Sequence, residues 1–443
     1  MKNLTIINSK VVNEGFVKEQ DILIKDGRIE KIDKLIEPQG EYIDGSGLAL
    51  LPGVIDDQVH FREPGLTDKG DIHSESRAAV AGGTTTFMDM PNVLPPTLSH
   101  DLWNEKNQIA KKNSHANYSF YMGTSNTNIE EIRAIDPLEV CGVKVFMGSS
   151  TGNLLVDNPV SLENIFKDSP VLIATHCEET PMIIAKEKEF KKRYGDNIPI
   201  ESHEFIRSRE ACLASSKKAV DLAKEFNSKL HILHVSTEDE LALLTNDNIE
   251  NKQISAEVCV PHLFFSSDDY LTKGTRIKCN PSIKNISDKI ALRKALKSGL
   301  IDFVATDHAP HDIILKGNSY FSCPSGMPSI QHTLLAVLQL VREGDLSLED
   351  VSKVTSHNVA TRFNIKDRGY IREGYWADLV LVDLEKEQVI NNKNLEYKCG
   401  WSPFEGDKFS STIIETIING ERAYSEGKVI DNIRGKKIEF TRG

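Results

Sequence analysis

VIDDQVHFREPG, residues 54–65, contains an apolar, β-branched run that stops at a histidine, His60. Four later strings have the same form, and each contains a residue able to bind a metal. They are GVKVFMG at 142–148, VLIATHC at 171–177, LHILHVS at 230–236 and FVATDHAPH at 303–311. Strands of this composition are normally buried on both faces, so a polar residue within them needs a partner. We infer one shared partner, a metal centre at one end of a parallel barrel.

The region that contains these strings, residues 52–364, alternates strand-like and helix-like segments. Helical patterns are clear at 208–226 and 329–344. The candidate strands end near His60, Met90, Gly123, Met147, Cys177, Ser236, Pro261 and Asp307. This alternation predicts an α/β fold, a (β/α)8 TIM barrel, whose chemistry gathers at the C-terminal ends of the strands.

Both ends of the chain, residues 1–51 and 365–443, show short segments with alternating apolar and polar positions. The N-terminal part has a turn at Asp26-Gly27, and the C-terminal part has one at Asn419-Gly420. Such dipeptides between alternating segments are typical of antiparallel hairpins. We therefore expect a small β-sandwich side domain, built from both chain ends.

Composition indicates the class of partner. The chain has 443 residues and a net charge of −12, from 53 basic and 65 acidic side chains. This balance argues against a nucleic acid or a membrane as partner, since both are polyanionic. It fits a soluble enzyme that acts on a small molecule.

The cysteines and the start of the chain indicate the compartment. Seven cysteines without a CxxC pair favour a reducing compartment, and the start of the chain lacks a signal peptide, so we expect the cytoplasm.

The polar residues of the five strings differ in what they offer. Each of the histidines His60, His176 and His234 suits zinc, although a histidine in such a position, taken alone, is more often a hydrogen-bonded core histidine. Burial of Lys144 would favour a neutral amine, which can react with carbon dioxide to form a carbamate that bridges two cations. The alternative is an edge-strand lysine paired with a carboxylate. Asp307 needs a cation or several donors, and beside a metal it would serve as general acid and base.

Four further residues are candidates for contacting substrate. Arg62 and His311 would hold an anion, because arginine offers a planar fork that matches a carboxylate. The alternative for Arg62 is a surface salt bridge with Glu63. Asn92 and Asn280 follow strand-like runs and fit either substrate contacts or turns. The segment 311–323 fits either a lid over the site or an ordinary surface loop.

Taken in order, PGVIDDQVHFREPG, GVKVFMG, THCEE, LHVST and ATDHAPH resemble the cyclic amidase branch of the amidohydrolase superfamily, and within it the dihydroorotases. The resemblance implies a barrel with a β-sandwich domain and one or two Zn²⁺ ions, in a homo-oligomer, either a dimer or a tetramer. It also implies reversible closure of N-carbamoyl-L-aspartate to L-dihydroorotate, a step of pyrimidine biosynthesis. The metal ligands that it implies are His60, carbamylated Lys144, His176, His234 and Asp307.

The same resemblance implies that Arg62, Asn92 and His311 hold the substrate carboxylate, and that Asn280 lies against the pyrimidine edge. Arginine directly after the metal-binding histidine distinguishes dihydroorotases from dihydropyrimidinases and hydantoinases. Two positions depart from the pattern. Gln58 stands where the family has its first metal histidine, and many near relatives carry aspartate at the position of Lys144. We therefore retain two alternatives. One is another cyclic amidase, similar to the dihydropyrimidinases, hydantoinases or allantoinases, and the other is an inactive homologue that serves as a scaffold for aspartate transcarbamoylase.

Overall fold

A computed structural model describes residues 3–148 and 154–442. The chain begins with five strands that form half of a side domain. They are β1 (Leu4–Asn13), β2 (Phe16–Lys25), β3 (Arg28–Asp33), β4 (Glu41–Asp44) and β5 (Ala49–Pro52). β2 and β3 form an antiparallel hairpin whose turn is Asp26-Gly27, as predicted. β1 pairs with β4 through its first half and with β5 through its second half, because a register shift between Ile6 and Ser9 bends it.

Short parallel strands of the central region form the barrel. They are β6 (Val54–Val59), β7 (Thr84–Asp89), β8 (Asn117–Phe120), β9 (Met122–Gly123), β10 (Val143–Phe146), β11 (Ile173–His176), β12 (Leu230–Ile232), β13 (Ile254–Cys259) and β14 (Phe303–Ala305). β8 and β9 are two pieces of one strand, so the described residues supply eight strand positions. The ring closes beyond β14, where the amide of His60 donates to the carbonyl of His308 over 2.7 Å.

Helices connect the strands and cover the outside of the barrel. They are α1 (Ile72–Ala81), α2 (His100–Asn113), α3 (Ile129–Arg133), α4 (Pro159–Asp168), α5 (Thr180–Tyr194), α6 (His203–Ile206), α7 (Arg209–Phe226), α8 (Val260–Phe264), α9 (Tyr270–Lys273), α10 (Ile286–Ser298), α11 (Ile313–Lys316), α12 (Thr333–Glu343), α13 (Leu348–Ser352) and α14 (Asn358–Phe363). The local sequence determines where several of these helices begin. The Asp71 side chain caps α1, and the Asn285 side chain caps α10, by accepting backbone N–H bonds that have no partner inside the helix.

The C-terminal strands complete the side domain. They are β15 (Leu379–Asp383), β16 (Gln388–Val389), β17 (Lys408–Phe409), β18 (Thr412–Ile418), β19 (Glu421–Ser425) and β20 (Lys428–Val429). β15 pairs with β5, so strands from the two chain ends join in one sheet, which has nine strands within the described ranges. The turn at Asn419-Gly420 joins β18 to β19, as predicted. The predicted fold class, a TIM barrel with a sheet-rich domain from both chain ends, is confirmed.

Two further observations concern the cysteines and the helices. The seven cysteines all lie in described parts of the chain, and none forms a disulfide. Across the same parts, no helix combines the length and the apolar composition needed to cross a membrane.

Candidate active site

A cavity opens where the C-terminal ends of the barrel strands meet. Its lining includes eight of the nine predicted site residues, and the ninth, His311, lies behind Arg62. The lining residues are Gln58, His60, Arg62, Asn92, Lys144, Phe146, His176, His234, Asn280, Asp307, Ala309, Ser325 and Gly326. Residues spread over about 250 sequence positions thus converge because parallel strands present their ends at one rim of the barrel.

Two histidines face each other on one side of the cavity. His176 Nδ1 lies 2.9 Å from His234 Nε2, and the other ring nitrogen of His176 lies 2.8 Å from Glu178 Oε2. Glu178 accepts the Nε2 hydrogen of His176, which leaves a lone pair on Nδ1 that points at His234. Arg207 donates to the same carboxylate over 2.5 Å. Such a carboxylate–histidine pair orients an imidazole for a metal ion, so this side of the cavity fits a metal.

The opposite side joins His60 to Asp307. His60 Nδ1 lies 2.6 Å from Asn92 Oδ1 and so carries the hydrogen. The lone pair of its Nε2 then faces Asp307 Oδ1 at 2.9 Å, an arrangement of two acceptors that a cation between them would stabilise. Gln58 Nε2 donates to the same oxygen over 3.2 Å. In this structure Asn92 therefore orients a histidine, in addition to lining the cavity.

Lys144 extends into the cavity from β10. It is buried, and burial lowers the pKa of its ammonium from 10.5 to about 8, although the charge of Asp307 opposes the shift. Its Nζ lies over the Phe146 ring, 4.6 Å from the ring centre, and it makes no ion pair with any residue in the described ranges. An amine of this kind is neutral in an appreciable fraction of molecules near neutral pH, which is the form that reacts with carbon dioxide.

Arg62 brings a second unpaired charge to the site. Its Nε donates to the carbonyl of Pro310 over 3.3 Å, and its Nη2 lies 3.1 Å from His311 Nε2. Burial, reinforced by the nearby guanidinium, lowers the pKa of His311 to about 2, so this ring is neutral. Arg62 is 6% exposed and forms no ion pair among the residues described. A buried guanidinium without a carboxylate partner is a ready binding site for an anion.

Three of the site residues have a backbone conformation that side chains rarely adopt. The φ angles are +69° at Arg62, +39° at His234 and +50° at Asp307. Strain of this kind costs about 1–3 kcal/mol per residue, and it persists where the surrounding structure fixes the backbone. The barrel therefore holds these three side chains in directions that a relaxed loop would not give.

A buried ion pair fixes the two loops that carry Arg62 and Asn92. Lys106 Nζ lies 2.5 Å from Asp89 Oδ2, and both side chains are fully buried. Asp89 Oδ1 accepts the backbone N–H of Phe61, while Lys106 donates to the carbonyl of Met90. The helix α2 thus anchors the backbone next to both site residues.

Replacing Lys106 with methionine should destabilise the protein by about 3–5 kcal/mol, because the carboxylate of Asp89 would be left buried without its cation. Urea unfolding measures this loss. Lys111→Met, an exposed position on the same helix, is the matched control and should change the free energy of unfolding by less than about 0.5 kcal/mol. A loss below about 1 kcal/mol for Lys106→Met would show that this ion pair does not anchor the loops.

Several residues with roles near the site had no signal in the sequence that we recognised. Glu178 orients His176. His231, to which sequence analysis assigned no role, lies in a buried cluster with Asp57 and Glu257. That cluster is the only such group of potential ligands in the part of the chain that the structure describes. The available signal was spacing, because Asp57 lies three residues before His60 and His231 three residues before His234.

The segment 311–323, predicted to be either a lid or a surface loop, has a fixed anchor. Lys316, buried at the end of α11, donates through Nζ to the carbonyls of Lys278, Pro324 and Gly326 over 2.9–3.1 Å. Gly326 lines the cavity. This lysine therefore ties the segment to the cavity wall.

The profile of the amidohydrolase family matches residues 49–423. A dihydroorotase of Methanosarcina acetivorans is 32% identical over 456 residues, covering 100% of this chain and 96% of the relative. An allantoinase of Desulfitobacterium hafniense is 30% identical, over 98% of each chain. Among solved structures, the L-hydantoinase of Arthrobacter aurescens has a TM-score of 0.94 at 26% identity, over 99% of this chain and 100% of that one. These relatives belong to one family and share one fold, but their names indicate different ring compounds as substrates.

Proposed function

The chain belongs to the amidohydrolase family, and from this premise we propose that it is a dihydroorotase. It would interconvert L-dihydroorotate and N-carbamoyl-L-aspartate with the help of zinc. The relatives are all named as hydrolases of cyclic amides. The residues of the cavity must therefore indicate which ring is the substrate. Dihydroorotate differs from allantoin, hydantoin and dihydrouracil in carrying a carboxylate on the ring.

The observation that supports this choice most strongly is Arg62. Its guanidinium lines the cavity, is 6% exposed and has no carboxylate partner in the described ranges. Burying such a charge costs several kcal/mol unless an anion accompanies it. The substrate carboxylate would supply that anion through two parallel hydrogen bonds. A ring without a carboxylate would leave the charge uncompensated.

A second polar group is available for the ring. The Asn280 side-chain oxygen is buried at the cavity wall and accepts no hydrogen bond from any described residue. A cyclic imide such as dihydroorotate has ring N–H groups that would satisfy it. Arg62 and Asn280 together would therefore fix the ring by its carboxylate and by its polar edge.

The donor set of the cavity fits a metal site. The residues that would hold the ion are His60, Lys144 as a carbamate, His176, His234 and Asp307. When bound, zinc would act as a Lewis acid toward water and the scissile carbonyl. Imidazole nitrogens and carboxylate oxygens are ligands that zinc accepts, and Glu178 already orients one of the imidazoles.

The proton chemistry would fall to Asp307. In the hydrolytic direction, water attacks the ring carbonyl carbon, the bond between that carbon and the ring nitrogen breaks, and the new carboxylic acid releases its proton to solvent as a carboxylate. Asp307 would take the proton from the attacking water and pass it to the departing nitrogen. One hydrogen bond from Gln58 and the contact with His60 hold one carboxylate oxygen of Asp307 and leave the other for this transfer.

The surroundings of Lys144 also support its carbamylation. An ammonium in this position would repel a bound cation, whereas a carbamate would attract one. The lowered pKa of the amine and the absence of an ion pair among described residues favour the neutral amine that reacts with carbon dioxide. The charge of Asp307 favours the ammonium instead, so the carbamate would depend on the bound cation to offset its own negative charge.

The test is hydrolysis of L-dihydroorotate by purified, zinc-replete protein, with dihydrouracil, hydantoin and allantoin in parallel and a chelator-treated sample as control. We expect turnover of dihydroorotate that the chelator abolishes, and at least 100-fold lower kcat/KM for the other rings, about 3 kcal/mol of discrimination. Preference for allantoin or hydantoin would identify another cyclic amidase. No turnover of any ring, despite bound zinc, would favour the scaffold role.

A further inference from the structure

Asn280 lies at the cavity wall in a stretch of chain that has no regular backbone structure. Residues 278–285, which precede α10, form neither a helix nor a strand. No ladder of backbone hydrogen bonds therefore sets the direction of the Asn280 oxygen, which has no partner among the described residues. Its direction depends instead on side chains that bond to the backbone beside it. One such bond is made to the carbonyl of Cys279, the residue directly before Asn280.

His203, in α6, donates the hydrogen bond to that carbonyl. Its Nε2 lies 2.8 Å from the Cys279 oxygen, and its Nδ1 lies 2.8 Å from the Tyr320 hydroxyl. A carbonyl oxygen can only accept, so the ring hydrogen is on Nε2, and the hydroxyl donates to Nδ1. His203 is fully buried, and burial, together with the charges of Arg207 and Lys278, lowers its pKa well below the usual range. The ring is therefore neutral and has this one tautomer.

Tyr320, the other partner of this ring, is itself held in place. It is buried, and its ring packs against the edge of the His203 ring with 5.5 Å between the centroids. Lys278 Nζ donates to the carbonyl of Tyr320 over 2.6 Å and to that of Cys323 over 2.7 Å. The tyrosine hydroxyl therefore meets the histidine from a fixed direction, and the imidazole has little freedom to turn away from its carbonyl partner.

The same short segment, residues 203–207, also contacts the metal side of the cavity. Arg207 donates to Glu178, the carboxylate that orients His176. The backbone carbonyl of Arg207 accepts from the Ser282 hydroxyl over 3.0 Å, in the loop that carries the site asparagine. One end of the segment thus supports a proposed metal ligand, and the other end holds the loop on the substrate side.

We propose that His203 is a positioning residue, which fixes Asn280 through the Cys279 carbonyl so that its oxygen meets a ring N–H of the substrate. The identity of that ring rests on the proposed function, but the position of Asn280 can be tested without any turnover. Without this donor, the buried carbonyl would have no partner, and its peptide group would turn toward another. The asparagine directly after it would move with that peptide group.

Two substitutions separate the two contacts of the ring. The amide nitrogen of glutamine lies close to the place of Nε2, so His203→Gln keeps the donor to the carbonyl. The amide of asparagine lies close to the place of Nδ1, so His203→Asn keeps the contact with the tyrosine and loses the donor. Both variants leave a neutral, polar side chain in the same buried position. Any difference between them therefore reports on the contact with the carbonyl.

The first experiment is crystallography of both variants and of the unmodified full-length protein. In His203→Gln, the Asn280 oxygen should stay within about 0.5 Å of its unmodified position. In His203→Asn, it should shift by more than about 1 Å or lose its electron density. An unmoved oxygen in folded His203→Asn would overturn the proposal, whatever ring the protein acts on. If the oxygen moves while the unmodified protein does not hydrolyse dihydroorotate, the positioning role stands and the proposed function fails.

The second experiment measures kcat and KM for dihydroorotate and inhibition by dihydrouracil. In His203→Asn, KM should rise about tenfold while kcat stays within about threefold, because the ring makes this contact in both the ground state and the transition state. The inhibition constant of dihydrouracil should rise by a similar factor, since its ring carries the same N–H groups. His203→Gln should bring both constants back to within about threefold of the unmodified protein. Equal constants in the two variants would contradict the proposal.

Tyr320→Phe is the matched control, because it removes the other hydrogen bond of the same ring and keeps the aromatic packing. It should lower Tm but leave KM within about threefold of the unmodified protein. A rise in KM equal to that of His203→Asn would indicate a general loosening of the region and contradict the specific contact.

A second variant covers the case in which His203→Asn does not fold. The double variant His203→Met, Tyr320→Phe replaces both partners of one hydrogen bond by apolar groups, a change that proteins tolerate well. Only the Cys279 carbonyl is then left without its donor. We expect the same rise in KM of about tenfold, with zinc content unchanged because Arg207 keeps its contact with Glu178. Unchanged KM in this folded double variant would overturn the positioning role.

Discussion

Asp307→Asn should lower kcat by about 10²–10⁴-fold, the contribution typical of a general acid and base, while zinc content stays nearly constant. Asparagine retains an oxygen that can remain near the ion, but its amide cannot take up and release the proton. It also tolerates the left-handed backbone at this position, where φ is +50°, so the variant should fold normally. The measurements are the rate of dihydroorotate hydrolysis and metal content by elemental analysis.

Asp367→Asn provides the matched control, because Asp367 has a similar φ of +54° and lies outside the cavity. Its activity should remain within about twofold of the unmodified protein, as for most surface changes. Turnover by Asp307→Asn within about tenfold of the unmodified protein would exclude Asp307 as the proton carrier. Loss of both metal and activity would instead assign it a role in holding the ion.

Arg62→Met should reduce kcat/KM for dihydroorotate by about 10²–10³-fold, equivalent to about 3–4 kcal/mol of lost binding to the carboxylate. Binding of dihydrouracil, measured as inhibition, should change by less than about tenfold, because this ring has no carboxylate to lose. Methionine fills similar space without charge. Removing a buried guanidinium that has no carboxylate partner among described residues should leave stability unchanged or improved.

Arg62→Lys separates the contribution of the positive charge from that of the planar guanidinium. Lysine keeps the positive charge but not the planar fork, so we expect an intermediate loss. If dihydroorotate and dihydrouracil weaken in parallel in Arg62→Met, the arginine supports the loop through Pro310 and His311, and its role in substrate choice is contradicted.

Sequence patterns predicted the barrel well because parallel strands buried on both faces have a simple sequence pattern. An apolar run that stops at a polar residue marks both the strand and its C-terminal end, so His60, Lys144 and His176 could be placed at one rim. Hairpin turns such as Asp26-Gly27 could be predicted equally well, because the dipeptide itself favours the backbone conformation of a tight hairpin turn.

Buried contacts across the barrel could not be predicted from the sequence. Alternation along a strand directs Asp57 away from the face that carries Gln58, and only the extra residue in β6 turns it toward the interior. Lys106 is a further example, because a lysine in a polar helix predicts an exposed position, and its burial depends on Asp89 at the end of another strand. Both depend on long-range geometry that local patterns do not encode.

The left-handed backbone of Arg62, His234 and Asp307 has a consequence for the history of the chain. Glycine would relieve the strain at each of these positions, and asparagine would reduce it. A lineage that no longer needed the chemistry would gain stability from such replacements and would lose no function by them. Arginine, histidine and aspartate are nevertheless present at all three. Side chains with this chemistry at three strained positions of one cavity are what a protein that depends on that cavity for turnover would have, and a scaffold role alone gives no reason for them.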